Sequence, residues 1–387
     1  MRIGLLGFKY ENENLGCVAL TYSAIAVLNE LFPEGLTIVN ITDCHENMDF
    51  ARSFFENVHL VEQVYYLRTR FMLMDRETIS AVRKCDAVLD ITFGDNFSDI
   101  YLPHFVRKTT HLKLIIEALG VPLILMPQTI GPFEDTKLLK QALRAIKKSK
   151  RVYSRDILSK DFVKKYLPKQ DVFVATDLAL VLPYEKVTYI SSKIKIGVNV
   201  SGLLWNGGFI NSNQFGLTVD YQQYITSLLS QICNDRCYEV HLIPHVVDVS
   251  AKAQDGDLAV AHEMLEKYPS IALAPSFATP IDAKNYIAQM DIFIGARMHS
   301  TIAAFSSHVA TIPFAYSRKF EGMYDGIGYP YVVDGRKLTT EQALTKTMEF
   351  ITKADELKRS GDAAMQIVQQ LLSDFKSDLK RNLLDKQ

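Results

Sequence analysis

Residues 291–304 read Asp291-Ile-Phe-Ile-Gly-Ala-Arg-Met-His-Ser-Thr-Ile-Ala-Ala. Ile292, Phe293 and Ile294 form a short apolar run of the kind that makes a buried strand, and Gly295 closes it. Ser300 and Thr301 then open a helical pattern. A strand passing directly into a helix is the unit of a parallel sheet covered on both faces. In open sheets of this type ligands bind beyond the carboxyl ends of the strands. Arg297, His299 and Ser300 fall at such an end, at a helix N-terminus whose unpaired N–H groups favour anions. An arginine adds a planar fork for phosphate or carboxylate. A histidine there can give or take a proton near neutral pH. A structural alternative fits the same residues, with Arg297 paired to an acid and His299 capping the helix.

One unit later, Ile312-Pro-Phe-Ala-Tyr-Ser-Arg-Lys-Phe-Glu-Gly repeats the arrangement and places Tyr316, Ser317, Arg318 and Lys319 after a strand. Neighbouring strand ends would bring these cations near Arg297, which suits a ligand with two anionic groups. The same alternation runs through the chain. Strands are expected at 2–7, 36–41, 87–91, 123–126, 151–154 and 172–175, with helices near 16–31, 77–84, 108–119, 137–148 and 157–166. The pattern pauses over 182–193, a polar stretch containing Pro183 that reads as a linker. It resumes with strands at 195–200, 239–243, 271–274, 292–294 and 311–314 and helices near 221–233, 256–267, 280–290 and 300–307. The expectation is an α/β protein with two Rossmann-like domains facing a cleft, 1–185 and 194–335. Residues 336–387 add C-terminal helices; Ile367, Leu371, Phe375, Leu379 and Leu383 share one apolar face, which should pack on the body.

Composition narrows the function. Of 387 residues, 43 are Lys or Arg and 44 Asp or Glu, a net charge of -1, so no global basic field recruits nucleic acid. No run of 18 uncharged apolar residues offers a transmembrane helix, and the short apolar N-terminus reads as a first strand rather than a signal peptide. The five cysteines are odd in number and irregular in spacing, which points to a reducing cytoplasm rather than a disulfide framework. No metal site is expected. Cys233 and Cys237 have no second pair nearby, Pro244 interrupts His241 and His245, and Asp255-Gly-Asp257 is too short a pattern to specify one.

In the first half, Gly94 follows the strand at 87–91 and precedes Asp95 and Asn96. These two suit a hydroxylated ligand, with Asp95 also able to act as a base, or they form a plain Asx turn. Gln128 and Thr129 lie in the loop Pro127-Gln-Thr-Ile-Gly-Pro132 after the next strand. The turn at 12–16 lacks the full G-x-G-x-x-G fingerprint and gives little support for NAD.

Taken in order, Asn14-Leu-Gly16, Thr92-Phe-Gly-Asp95, Pro127-Gln-Thr-Ile-Gly-Pro132, Tyr153-Ser-Arg-Asp156, Ile196-Gly-Val-Asn-Val-Ser201, Ile243-Pro-His245, Gly295-Ala-Arg-Met-His299 and Tyr316-Ser-Arg-Lys319 resemble the polysaccharide pyruvyl transferases. The resemblance spans residue 1 to about 330. It implies a GT-B architecture and transfer of the pyruvyl group of phosphoenolpyruvate to a sugar of a cell-surface polysaccharide precursor as a ketal, with phosphate released. Phosphoenolpyruvate is a co-substrate, and no cofactor or metal is implied. Arg297 and His299 would be catalytic in the donor site, with Ser300, Tyr316, Arg318 and Lys319 binding the donor. Asn14, Asp95, Asn96, Gln128 and Thr129 would serve the acceptor, Asp95 as binder or second base. Two departures fall in the acceptor half: Cys17 stands where the family often has aspartate, and Thr-Phe-Gly-Asp replaces a denser glycine cluster. The competing readings are a GT-B glycosyltransferase using a nucleotide sugar and a non-catalytic carbohydrate-binding protein.

A basic pattern adds a partner. Lys137, Lys140, Arg144, Lys147, Lys148 and Arg151 recur at helical spacing opposite Leu138, Leu139, Ala142, Leu143 and Ile146. Upstream, 65–74 mixes aromatics with Arg68 and Arg70, as an interfacial segment would. The expectation is a lipid-linked acceptor and peripheral contact with the anionic inner face of the membrane. An ordinary solvated helix face with a buried apolar segment is the alternative.

Overall fold

The computed structural model describes residues 1–65, 67–68, 73–98, 103–185, 191–208, 212–247 and 255–385. In chain order the strands are β1 (Arg2–Leu6), β2 (Leu36–Thr42), β3 (Val58–Val64), β4 (Leu67–Arg68), β5 (Leu73–Met74), β6 (Ala87–Asp90), β7 (Leu123–Gln128), β8 (Arg151–Ser154), β9 (Phe173–Val174), β10 (Ile194–Asn199), β11 (Tyr238–Leu242), β12 (Ala272–Leu273), β13 (Ile292–Gly295), β14 (Ala310–Ala315) and β15 (Val333–Asp334). They form a seven-stranded sheet, β3-β2-β1-β6-β7-β8-β9, and a six-stranded sheet, β12-β11-β10-β13-β14-β15, with β4 and β5 as a separate pair. Every pairing in the two larger sheets is parallel. This is the α/β architecture expected from the sequence. The central strands explain it: every residue of β6, β7, β13 and β14 is buried, as a strand covered by helices on both faces requires.

Strand order fixes where a site can lie. In each sheet the chain builds outward in one direction and then returns to the far side of its first strand. The reversal falls between β1 and β6 in the larger sheet and between β10 and β13 in the smaller. A crevice beyond the carboxyl ends of such a strand pair is the usual ligand position.

The chain divides into two compact units. The first comprises Met1–Asn12, Leu20–Val181 and Val368–Gln387, and the second Glu13–Ala19 and Leu182–Ile367. The C-terminal helices therefore form no body of their own. The helix Thr340–Thr352 lies in the second unit, where Thr347 Oγ1 and Tyr224 Oη are 2.8 Å apart. The helix Ala354–Leu384 ends in the first. There Phe375 packs edge-on against Tyr153 at 4.9 Å, and Asp378 accepts from Tyr153 Oη at 2.8 Å and Arg151 Nε at 2.7 Å.

The helix Thr136–Lys148 begins at Asp135, whose carboxylate accepts from the N–H groups of Lys137 and Leu138. Leu138, Ala142, Ala145 and Ile146 are buried, and Lys137, Lys140, Arg144, Lys147 and Lys148 are exposed. Arg151 does not extend this basic face. It opens β8, and Asp171 and Asp378 hold its guanidinium. Of the segment 65–74, Tyr65 and Met74 belong to the core, and Arg70 lies outside the described residues, as does the side chain of Arg68.

Candidate active site

The site is built on Asp257, the first residue of the helix Asp257–Lys267. Its side chain is only 1% exposed, and a lone buried carboxylate would be costly. Six donors satisfy it. Oδ1 accepts from Arg297 Nε at 3.0 Å, Arg297 Nη2 at 2.7 Å and the Gly202 N–H at 3.0 Å. Oδ2 accepts from Asn199 Nδ2 at 3.0 Å and from the N–H groups of His245 and Val246 at 3.0 and 3.1 Å. One carboxylate thus ties together the loops that leave β10, β11 and β13. A close backbone approach makes this possible: a Cβ on Gly202 would sit 2.0 Å from the Gly256 carbonyl oxygen.

Asn199 completes the brace. It ends β10, donates to the Ile243 carbonyl at 3.0 Å, and accepts from the Arg297 N–H at 3.0 Å. That last bond crosses the β10–β13 reversal. Arg297 sits in the N-cap position of the helix Met298–Ser306 and makes no side-chain cap. Its guanidinium also meets Asp255, through Nη1 to Oδ1 at 2.6 Å and through Nη2 to the backbone carbonyl. Burial favours the neutral form, but Asp257 and Asp255 outweigh it and hold the arginine pKa above its ordinary value. Arg297 is therefore a fixed cation, and the pairing with acids that the sequence left open is present.

His299 follows in the first turn and is half-buried. Its ring faces Gly16, where a Cβ would lie 2.3 Å from Nδ1. Glycine at 16 is thus a steric condition for the placement of the imidazole. The segment carrying it is held in the second unit: Leu15 N–H donates to the His245 carbonyl at 3.2 Å, and Val247 N–H to the Glu13 carbonyl at 2.9 Å. Asn14, expected on the acceptor side, belongs to this unit instead, because it bridges Val246 and its Oδ1 accepts from Gly16 N–H at 3.0 Å.

His245 is buried in the same cluster. Burial, then the charges of His299 and Arg297, push it down to about 3 against the pull of Asp257. It is a neutral imidazole at working pH. His241 turns elsewhere, with Nδ1 2.8 Å from Tyr286 Oη and Nε2 2.8 Å from Glu239 Oε1. Among the described residues no group of three metal-ligating side chains converges.

The loop after β14 gives Tyr316 and the helix Arg318–Tyr324. Tyr316 is buried against Phe215 at 4.9 Å and Phe320 at 5.4 Å, and Lys319 Nζ stands 5.4 Å from its ring centre. Arg318 and Lys319 are half-buried. Ser300 is fully buried and donates to the Arg297 carbonyl at 2.8 Å, which braces the turn.

In the first unit, Asp95 and Asn96 are partly exposed beyond β6. Gln128 is not available to an acceptor. It is fully buried and donates to the Asp90 carbonyl at 2.8 Å and carboxylate at 3.2 Å. Thr129 is buried too, with its N–H on the Gly94 carbonyl at 2.8 Å. Below this loop lies a charged core that sequence reading missed. Lys113 Nζ is 3.0 Å from Asp90, 2.6 Å from Thr92 Oγ1 and 4.4 Å from the Phe97 ring centre. Burial lowers the lysine pKa and Asp90 opposes it. The pair anchors the 92–98 loop at the β1–β6 reversal.

Two parallel α/β units, one carrying an arginine and a histidine at its strand-order reversal, define a two-domain protein of the GT-B class. The family profile of the polysaccharide pyruvyl transferases matches residues 14–318, and the chain belongs to that family. No curated protein matches it significantly. Solved structures share the fold at low identity. Anabaena HepE in complex with UDP is 10% identical with a TM-score of 0.59, over 97% of this chain and 99% of that one. The UDP-GlcNAc 2-epimerase of Neisseria meningitidis bound to UDP-GlcNAc is 11% identical, TM-score 0.55, over 96% and 100%. That of Methanocaldococcus jannaschii is 11% identical, TM-score 0.54, over 96% and 100%. Among the described residues no helix is long and apolar enough to cross a membrane.

Proposed function

We propose that this transferase moves the pyruvyl group of phosphoenolpyruvate onto two hydroxyls of a sugar in a cell-surface polysaccharide precursor. The observation that carries the reading is the Arg297–His299 pair at the β10–β13 reversal, inside the segment that matches the family. Protonation of the donor C3 makes C2 electrophilic. One sugar hydroxyl adds to C2, phosphate leaves with the C2–O bond pair, and the second hydroxyl closes the ketal. His299 is the acid/base; Arg297 and Lys319 hold the donor anions. Asp95 and Asn96 bind acceptor hydroxyls, with Asp95 as second base. The scheme calls on no metal or redox cofactor. Phosphate release from phosphoenolpyruvate in the presence of a panel of lipid-linked saccharides tests it. Turnover of UDP- or CMP-sugars with none of phosphoenolpyruvate would make the chain a glycosyltransferase instead. Inertness toward every donor would leave a carbohydrate-binding protein.

The acceptor is lipid-linked in this proposal, and the exposed face of Lys137, Lys140, Arg144, Lys147 and Lys148 docks on the cytoplasmic leaflet. Each basic residue near an anionic surface contributes on the order of 1 kcal/mol. Sedimentation with phosphatidylserine vesicles should show binding that falls with salt and weakens when Lys140, Arg144 and Lys147 become Glu. No binding at low salt would remove the membrane contact and favour a soluble acceptor.

A further inference from the structure

Arg297 is gripped by two carboxylates in very different settings. Asp257 is 1% exposed and engages Nε and Nη2 while holding four further donors from the chain. It cannot leave without dismantling three loops. Asp255 is 32% exposed, and its carboxylate meets the guanidinium at Nη1, at 2.6 Å. Of the five guanidinium N–H groups, those on Nε and Nη2 bond to Asp257 and to the Asp255 backbone carbonyl, while Nη1 meets the Asp255 carboxylate as an ion pair without a hydrogen bond. Arg297 faces two aspartates while His245 stays neutral, so the charge of the guanidinium is already answered inside the cluster. An incoming anion has to compete with the more exposed of the two carboxylates.

We propose that Asp255 is an internal anion: its carboxylate occupies the outer nitrogen of Arg297 in the free enzyme, and an anionic group of the donor replaces it on binding. Asp257 fixes the arginine; Asp255 sets how tightly, and for what charge, its outer edge is open. The exchange replaces an ion pair that makes no hydrogen bond by an anion that can align on Nη1, so a carboxylate or phosphate competes and an uncharged group does not. The idea rests on the reading of an anionic donor and adds a specificity-determining residue to it.

Asp255→Asn removes the competing charge and keeps the shape. Calorimetric titration of the full chain with phosphoenolpyruvate and, separately, with inorganic phosphate should show binding about tenfold tighter than wild type, equivalent to about 1.4 kcal/mol. The donor KM should fall with kcat no higher. Asp255→Ser, smaller and also uncharged, should repeat the gain, so poor folding of one variant does not blunt the test. A purely structural Asp255 predicts unchanged affinity in the folded fraction, and a direct donor ligand predicts weaker binding; either result overturns the proposal. If wild type binds phosphoenolpyruvate and neither variant gains, the Asp255 role alone falls. If wild type and variants bind neither probe, the anionic-donor reading falls with it.

Discussion

His299→Ala is expected to lower kcat by roughly 10²–10⁴, the range of a positioned acid/base, with the donor KM and the melting curve close to wild type. The ring is half-buried in the first turn of its helix, while the braces of that turn come from the Ser300 hydroxyl and the backbone. Steady-state kinetics on protein whose circular dichroism matches wild type would check the expected loss. Turnover within a few-fold of wild type would take His299 out of the chemistry. Gly16→Val offers a second approach to the same group. Its Cβ would fall on the imidazole, so it should lower kcat comparably with the histidine itself left in the chain.

The fold was legible where burial is two-sided. β13 and β14 read as continuous apolar runs because helices cover both faces. β3 escaped notice because its sequence, Val-His-Leu-Val-Glu-Gln-Val, mixes charge into a strand at the edge of the sheet, yet it pairs with β2 over seven residues. The tail showed one apolar face but not what covers it; Tyr153, met by Phe375, is more than 200 residues away in sequence.

In the candidate site, the sequence singles out Arg297 and His299 because strand, glycine and helix frame them within one short segment. The bracing contacts of Asp257 have no such frame. Its partners come from residues 199, 202, 245, 246 and 297, and Asp-Gly-Asp names none of them. Gln128 marks a different limit. The rule that ligands gather beyond strand ends selects the loop, but the side chain of the last strand residue can turn inward, as Gln128 does toward Asp90. Asn14 was assigned by its place in the first half of the sequence, and its pairing with Val246 puts it in the other unit.

Asp257→Ala should give the largest combined loss of stability and activity. Breaking a buried ion pair from one side typically costs about 3–5 kcal/mol, and this carboxylate also answers four donors besides Arg297. Urea denaturation should show the loss in the transition of the second unit. Asp257→Asn separates charge from shape. An amide has one accepting oxygen, so whichever way it turns, three of the six donors face an NH₂ group. If Oδ1 is kept, the loops at His245 and Val246 loosen; if Oδ2 is kept, Arg297 loses its inner hold. In the proposed mechanism the first outcome disturbs the segment that seats His299 and the second frees Arg297, so kcat should fall and the donor KM rise even in the folded fraction. A merely structural aspartate would lower the amount of active enzyme and leave KM alone. Wild-type KM in folded Asp257→Asn would therefore reduce Asp257 to a core residue and leave the orientation of Arg297 to Asp255 and Asn199.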